Sequence, residues 1–116
     1  MYEVKFNIDA KELKKALKGM LKDKNGDNPG CYFFFKDYMV KIVSREWILN
    51  AYEIYTDIKS NVPLRMTSLL VAIEDIDDML NHLKKKKKRY FSGIAIFDEF
   101  KGFIEIEGKK IIAFHV

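Results

Sequence analysis

Residues 4–24, VKFNIDAKELKKALKGMLKDK, constrain the fold more than any other stretch of the chain. Val4, Phe6 and Ile8 alternate with Lys5 and Asn7, the period of two expected of a half-buried strand. Asp9 then stands where a helix N-cap belongs, and Glu12 follows at capping-box spacing. Leu13, Ala16, Leu17, Met20 and Leu21 recur at helical spacing and make one face apolar. Lys11, Lys14, Lys15, Lys18 and Lys22 make the opposite face cationic. A strand that feeds such a helix directly cannot bury the apolar stripe by itself, so the helix has to lie on a sheet.

The same grammar returns in residues 69–88, LLVAIEDIDDMLNHLKKKKK. One shift lays Leu13, Ala16, Leu17 and Met20 on Ile76, Met79, Leu80 and Leu83, and a small insertion brings Ile8 onto Ile73. Between the two copies, residues 25–30 (NGDNPG) are dense in turn formers and end the first helix in a loop. Strands are expected over residues 31–35, 38–44 and 47–55, with short turns at 36–37 and 45–46. Residues 57–63 are polar, end in Pro63, and read as a connector. The second half opens with a strand over 65–73, and Glu74 and Asp75 cap and lead its helix. Strands over 90–97, 100–107 and 110–116 follow, with turns at 98–99 and 108–109. The order is β-α-β-β-β twice, the first repeat over about residues 1–56 and the second over about 64–116.

Strands joined by two-residue turns pair antiparallel. The expected class is therefore α+β, one domain over residues 1–116, with two helices packed on antiparallel sheet. Nothing approaches 18 consecutive apolar residues, so no membrane span or membrane partner is expected. The charged start, MYEVKFNID, lacks the apolar core of a signal peptide. Cys31 is the only cysteine, which excludes an internal disulfide and suits a reducing cytoplasm, where it would pack as a small hydrophobe. The net charge of +4 permits a nucleic-acid partner without requiring one.

Lys5-Phe6-Asn7-Ile8 followed by Leu13-Lys14-Lys15-Ala16-Leu17 is similar to the K-F-x-I strand and L-x-x-A-L helix that open a domain of the bacterial polymerase β subunit. Residues 69–73, 75–83 and 104–108 are similar to the second half of such a domain. Over its whole length the chain thus resembles one domain of the DNA sliding clamps, by pattern rather than by any single motif. The resemblance implies a clamp-like fold, helices that line a channel for duplex DNA, self-association through sheet edges, and a place in replication, repair or a mobile element beside other replication proteins. Clamp subunits join two or three such domains, whereas this chain has one, so a ring of six domains would need six copies. The family's partner-peptide pocket cannot be carried onto these residues.

Two readings of the Lys11, Lys14, Lys15, Lys18 and Lys22 face stand side by side: phosphate neutralisation on duplex DNA, or a solvated face that keeps the protein soluble. Lys84, Lys85, Lys86, Lys87, Lys88 and Arg89 likewise suit phosphate contacts, or complement the helix macrodipole at about 0.3–1 kcal/mol each near the last turn. Glu74, Asp75, Asp77 and Asp78 favour the helix start but repel a phosphate backbone. A clamp-fold protein-interaction module that binds no DNA, an adaptor or a clamp mimic, is therefore the alternative.

No cofactor or metal is expected. Asp23, Asn25 and Asp27 sit at alternate positions, but Asn28 and Phe34 stand where a calcium loop needs Gly and Glu. His82 and His115 have no Cys at zinc spacing. Phosphate-loop, nucleophile-elbow and HExxH motifs are missing, so a non-enzymatic protein is expected. The aromatics Tyr32, Phe33, Phe34, Phe35, Trp47, Tyr52 and Tyr55 are expected in core and cross-strand pairs rather than in a base-stacking platform. The strand at 31–35 is apolar on both faces, and the terminal IIAFHV is a candidate open edge.

Overall fold

A computed structural model describes residues 1–22, 30–44, 51–61, 63–64 and 67–116. The expectations for the turn at 45–46, for the first four residues of the strand at 47–55, for residues 65–66, for the loop at 25–29, and for the alternate positions Asp23, Asn25 and Asp27 lie outside the described residues.

The chain runs β1 (Tyr2–Asp9), α1 (Ala10–Lys22), β2 (Gly30–Lys36), β3 (Met39–Ser44), β4 (Ala51–Tyr55), β5 (Asp57–Ser60), β6 (Thr67–Ala72), α2 (Ile73–Lys84), β7 (Tyr90–Phe97), β8 (Lys101–Ile106) and β9 (Lys109–His115). Two helices pack on a nine-stranded antiparallel sheet of order β4-β3-β2-β6-β9-β8-β7-β1-β5. The first strand of each half forms its longest ladder with the first meander strand of the other half. β1 lies against β7 from Tyr2↔Phe97 to Asp9↔Tyr90, and β6 lies against β2 from Gly30↔Ala72 to Phe35↔Thr67. Each helix must therefore cross the sheet. α1 carries the chain from the β1–β7 ladder to the β2–β6 ladder, α2 carries it back, and the two pack against each other antiparallel.

The sheet order ends in β4 and β5, yet only Thr56 separates them in the chain. β4 pairs with β3 while β5 pairs with β1, so one bent strand joins the two edges of the curled sheet. Thr56 holds the bend. Its N–H donates to the Tyr38 carbonyl at 2.9 Å, and its hydroxyl donates to the Asn7 carbonyl. The polar segment expected as a connector is thus partly a strand, because β1 needs a partner on its second edge. Ile58 packs half-buried against the core, while Asp57, Lys59 and Ser60 face solvent.

Two further expectations are corrected. Glu74 and Asp75 occupy the first turn of α2 but do not cap it. Ala72 is the N-cap and makes no side-chain bond there, because the β6 ladder runs up to that residue. In the β2–β3 hairpin the turn residues are Asp37 and Tyr38, since Lys36 and Met39 already pair. At α1, by contrast, the expected cap is present: Glu12 N–H donates to Asp9 Oδ1 at 2.9 Å.

The core fills the space between the helices and the inner sheet face. Leu13, Ala16, Leu17 and Met20 of α1 and Ile76, Leu80 and Leu83 of α2 meet Ile8, Phe33, Phe35, Leu69, Phe91 and Phe97. Burying each large apolar side chain is worth about 1.5–3 kcal/mol. The outer sheet face is mixed: Phe114 lies opposite Leu70, and Leu70 opposite Tyr32, in a cross-strand apolar row. Cys31 is buried as expected, and burial pushes its thiol up to about 12, which makes it unreactive.

The bend at Thr56 gives a direct test. Thr56→Val removes one hydrogen bond and should cost about 1 kcal/mol in urea denaturation. Thr56→Pro also removes the N–H that meets Tyr38, so it should cost clearly more. Equal, negligible effects would show that the strand is not held there.

Candidate nucleic-acid interface

The helical spacing of Lys11, Lys15, Lys18 and Lys22 carries them to the solvent side of α1, and all four are exposed. Lys14 behaves differently. It is half-buried, its ammonium lies 5.5 Å from the Phe91 ring centroid, and it donates to the Lys86 carbonyl at 3.1 Å. Lys14 therefore tethers α1 to the segment that leaves α2. A second tether is the Ala10 N–H, which donates to the Arg89 carbonyl at 2.9 Å. These bonds bring the two cation sets, far apart in sequence, onto one surface at the start of α1.

Within the basic run, Lys84, Lys85, Lys87, Lys88 and Arg89 are exposed and Lys86 is half-buried. Only Lys84 is helical. Lys88 is held by an acid: its ammonium lies 2.9 and 3.2 Å from the two carboxylate oxygens of Glu107. The Ser92 N–H donates to the same carboxylate at 2.9 Å. That backbone bond first, and the bond from Lys88 second, hold the Glu107 carboxyl below its ordinary value. Of the run, Lys88 thus has its charge partly spent. His82, which bonds the Glu107 carbonyl at 2.8 Å, is a structural tie between α2 and the β8–β9 turn. Among the described residues no group of His, Cys, Asp and Glu could hold a metal ion.

The α1 lysines line a groove of about 360 Å³ to which, among the described residues, Gly19 and Tyr52 also contribute. Tyr52 comes from β4, and its phenol packs where a side chain at position 19 would stand. Glycine at the middle of a helix costs about 1 kcal/mol against alanine, so its presence marks a close approach. That glycine is the available sequence signal for Tyr52, which is expected from the sequence only in core and cross-strand pairs. Tyr52 is half-buried and serves both roles.

The other end of the helical layer is acidic. The antiparallel arrangement sets the start of α2, with exposed Glu74, Asp77 and Asp78, toward the end of α1 that carries Lys18 and Lys22. Partial burial, then the charges of Asp78 and Glu74, push the Asp75 carboxyl up. Cationic character is therefore concentrated at Lys11, Lys15 and residues 84–89, and is weaker toward Lys22.

Comparison with protein-family profiles, curated proteins and solved structures gives no match. Among the described residues no helix is long and apolar enough to cross a membrane.

Two outcomes follow. Gly19→Ala should destabilise the protein by forcing Tyr52 away, yet raise stability by about 1 kcal/mol in a Tyr52→Ala background; a double-mutant cycle in urea measures this. Because the folded pKa of Glu107 is depressed, its stabilisation is present above the ordinary glutamate value and lost as pH falls through the lower folded value. Glu107→Gln should therefore be less stable than the parent at neutral pH, and the two should converge in acid.

Proposed function

We propose that the protein is a non-enzymatic, DNA-clamp-like protein. In this reading the two halves are copies of one β-α-β-β-β unit, self-association runs through sheet edges, and duplex DNA is contacted through the basic helical layer. The contact set is Lys11, Lys15, Lys18 and Lys22, with residues 84–89 beside them. The single observation that carries the DNA reading is the pair of tethers, Lys14 to Lys86 and Ala10 to Arg89. They turn two separate lysine-rich stretches into one field, and a continuous cationic face attracts phosphate far more than scattered surface lysines do.

The reciprocal pairing of β1 with β7 and of β6 with β2 supports the duplicated unit. The bent strand β4–β5 and the strand β9 correspond in it: β5 pairs with β1, and the end of β9 pairs with β6. Self-association is supported by open ladders. Among the described residues β4 pairs only with β3, and residues 109–112 of β9 pair only with β8. Its setting would be cytoplasmic, in replication, repair or a mobile element.

A second reading, a protein-interaction module without DNA binding, has its own support. The acidic start of α2 opposes phosphate at one end of the layer, and exposed Ile112 and Phe114 give the outer sheet face an apolar row.

Fluorescence anisotropy with a labelled blunt duplex separates the two. Binding should fall steeply with salt, and reversing Lys11, Lys15 and Lys18 to Glu should weaken it on every sequence alike. Undetectable binding at low salt would leave the interaction module. Light scattering of the free protein tests assembly: a strict monomer at high concentration would rule out a self-built ring.

A further inference from the structure

Beside the basic segment lies a cleft of about 520 Å³ lined by Asn7, Tyr38, Tyr55, Thr56, Asp57 and Tyr90. Its three tyrosines come from three places: the β2–β3 turn, the end of β4 and the start of β7. None is needed to fill the core, since Tyr38 is 70% exposed, Tyr55 76% and Tyr90 44%. Aromatic rings left this open in one concavity are unusual for a surface without a ligand.

Tyr38 stands out further. Its φ is 61°, the left-handed region that favours Gly or Asn and is unusual for a bulky side chain. A turn that would fold more easily with glycine instead presents a phenol to the cleft, and strain of this kind gathers at functional sites. Tyr90 is held from one side by the Arg89 guanidinium, 5.4 Å from its ring centroid. Asn7 and Asp57 are register partners on β1 and β5, so an amide and a carboxylate stand together at the same wall.

We propose that this cleft is a subsite for an unpaired nucleobase of single-stranded DNA. The tyrosine rings supply stacking surfaces, which every base can use. Asn7 offers a donor and an acceptor, and Asp57 accepts from base N–H groups. The strand's phosphates run toward Arg89 and the exposed lysines of residues 84–87, whose backbone is tied to the start of α1. That neighbourhood is why a nucleic acid, rather than a neutral sugar, suits the aromatic cleft: stacking alone fits both, and the cations fit only the polyanion. The subsite does not depend on the duplex reading, although both use the basic segment. If both hold, the protein would prefer a duplex with an unpaired overhang to a blunt one.

The test uses the whole chain with three probes: a labelled oligodeoxyadenylate, a blunt duplex, and the same duplex with a single-stranded overhang. Tyr38→Gly is the key variant, because glycine suits the positive φ and removes the ring without harming the fold. Tyr38→Gly and Tyr90→Ala should each weaken oligodeoxyadenylate binding about five- to hundred-fold and abolish the preference for the overhang, and Tyr38→Gly should leave blunt-duplex affinity unchanged. Tyr38→Phe should retain binding. Unchanged affinity for the single strand in both variants, or no binding of it by the parent at low salt, overturns the subsite. Stronger, salt-independent binding of a neutral oligosaccharide would overturn it too. Single-strand binding that depends on the tyrosines while the blunt duplex is ignored would support the subsite and defeat the duplex reading.

Discussion

The structure depends on an exchange of strands between its halves. β1 forms its long ladder with β7, and β6 forms its own with β2. Backbone pairing of this kind satisfies N–H and C=O groups that would otherwise be left in a partly buried sheet. It also dictates where the helices go. Each begins on one of the two ladders and must end on the other, so α1 and α2 run in opposite directions across the same face. Their apolar stripes then share one core with the inner sheet face.

The charge distribution follows from that crossing. Because α2 ends where α1 begins, the basic run after α2 is delivered to the first turn of α1, and Lys14 and Ala10 secure it there. The same geometry sends the acidic start of α2 to the opposite end. The helical layer is therefore polar along its length. Glu107 trims it further by pairing with Lys88 while accepting from Ser92. Exposed pairs contribute little to stability in general, but this carboxylate is also bound by backbone, which fixes its position.

The bend between the two edge strands of the sheet places the aromatic cleft. Thr56 bends one strand so that β4 and β5 reach different neighbours, and the bend lies among Asn7, Tyr38 and Tyr90. Tyrosines from three elements meet there because the two sheet edges meet there. A flat sheet with a true connector in place of β5 would have left them apart.

Local chemistry makes much of this legible in the sequence. Alternation of Val4, Phe6 and Ile8, the Asp9 cap, and the helical spacing of Leu13, Leu17 and Met20 specify β1 and α1, because each is a short-range steric or hydrogen-bonding preference. The shared pattern of 69–88 specified β6 and α2 in the same way. β5 was not legible: Asp57, Lys59 and Ser60 are polar and its strand character comes from β1. Nor was the turn at Tyr38, since turn chemistry favours Gly or Asn at a positive φ. The sequence by itself determined which residues are helical, which faces are apolar and which are cationic, as these follow from periods of two and 3.6. Only the tertiary structure decided which cations stand together, which is held by an acid, and which tyrosines share a cleft. Those relations span dozens of residues and are set by the pairing of distant strands, on which local periodicity is silent.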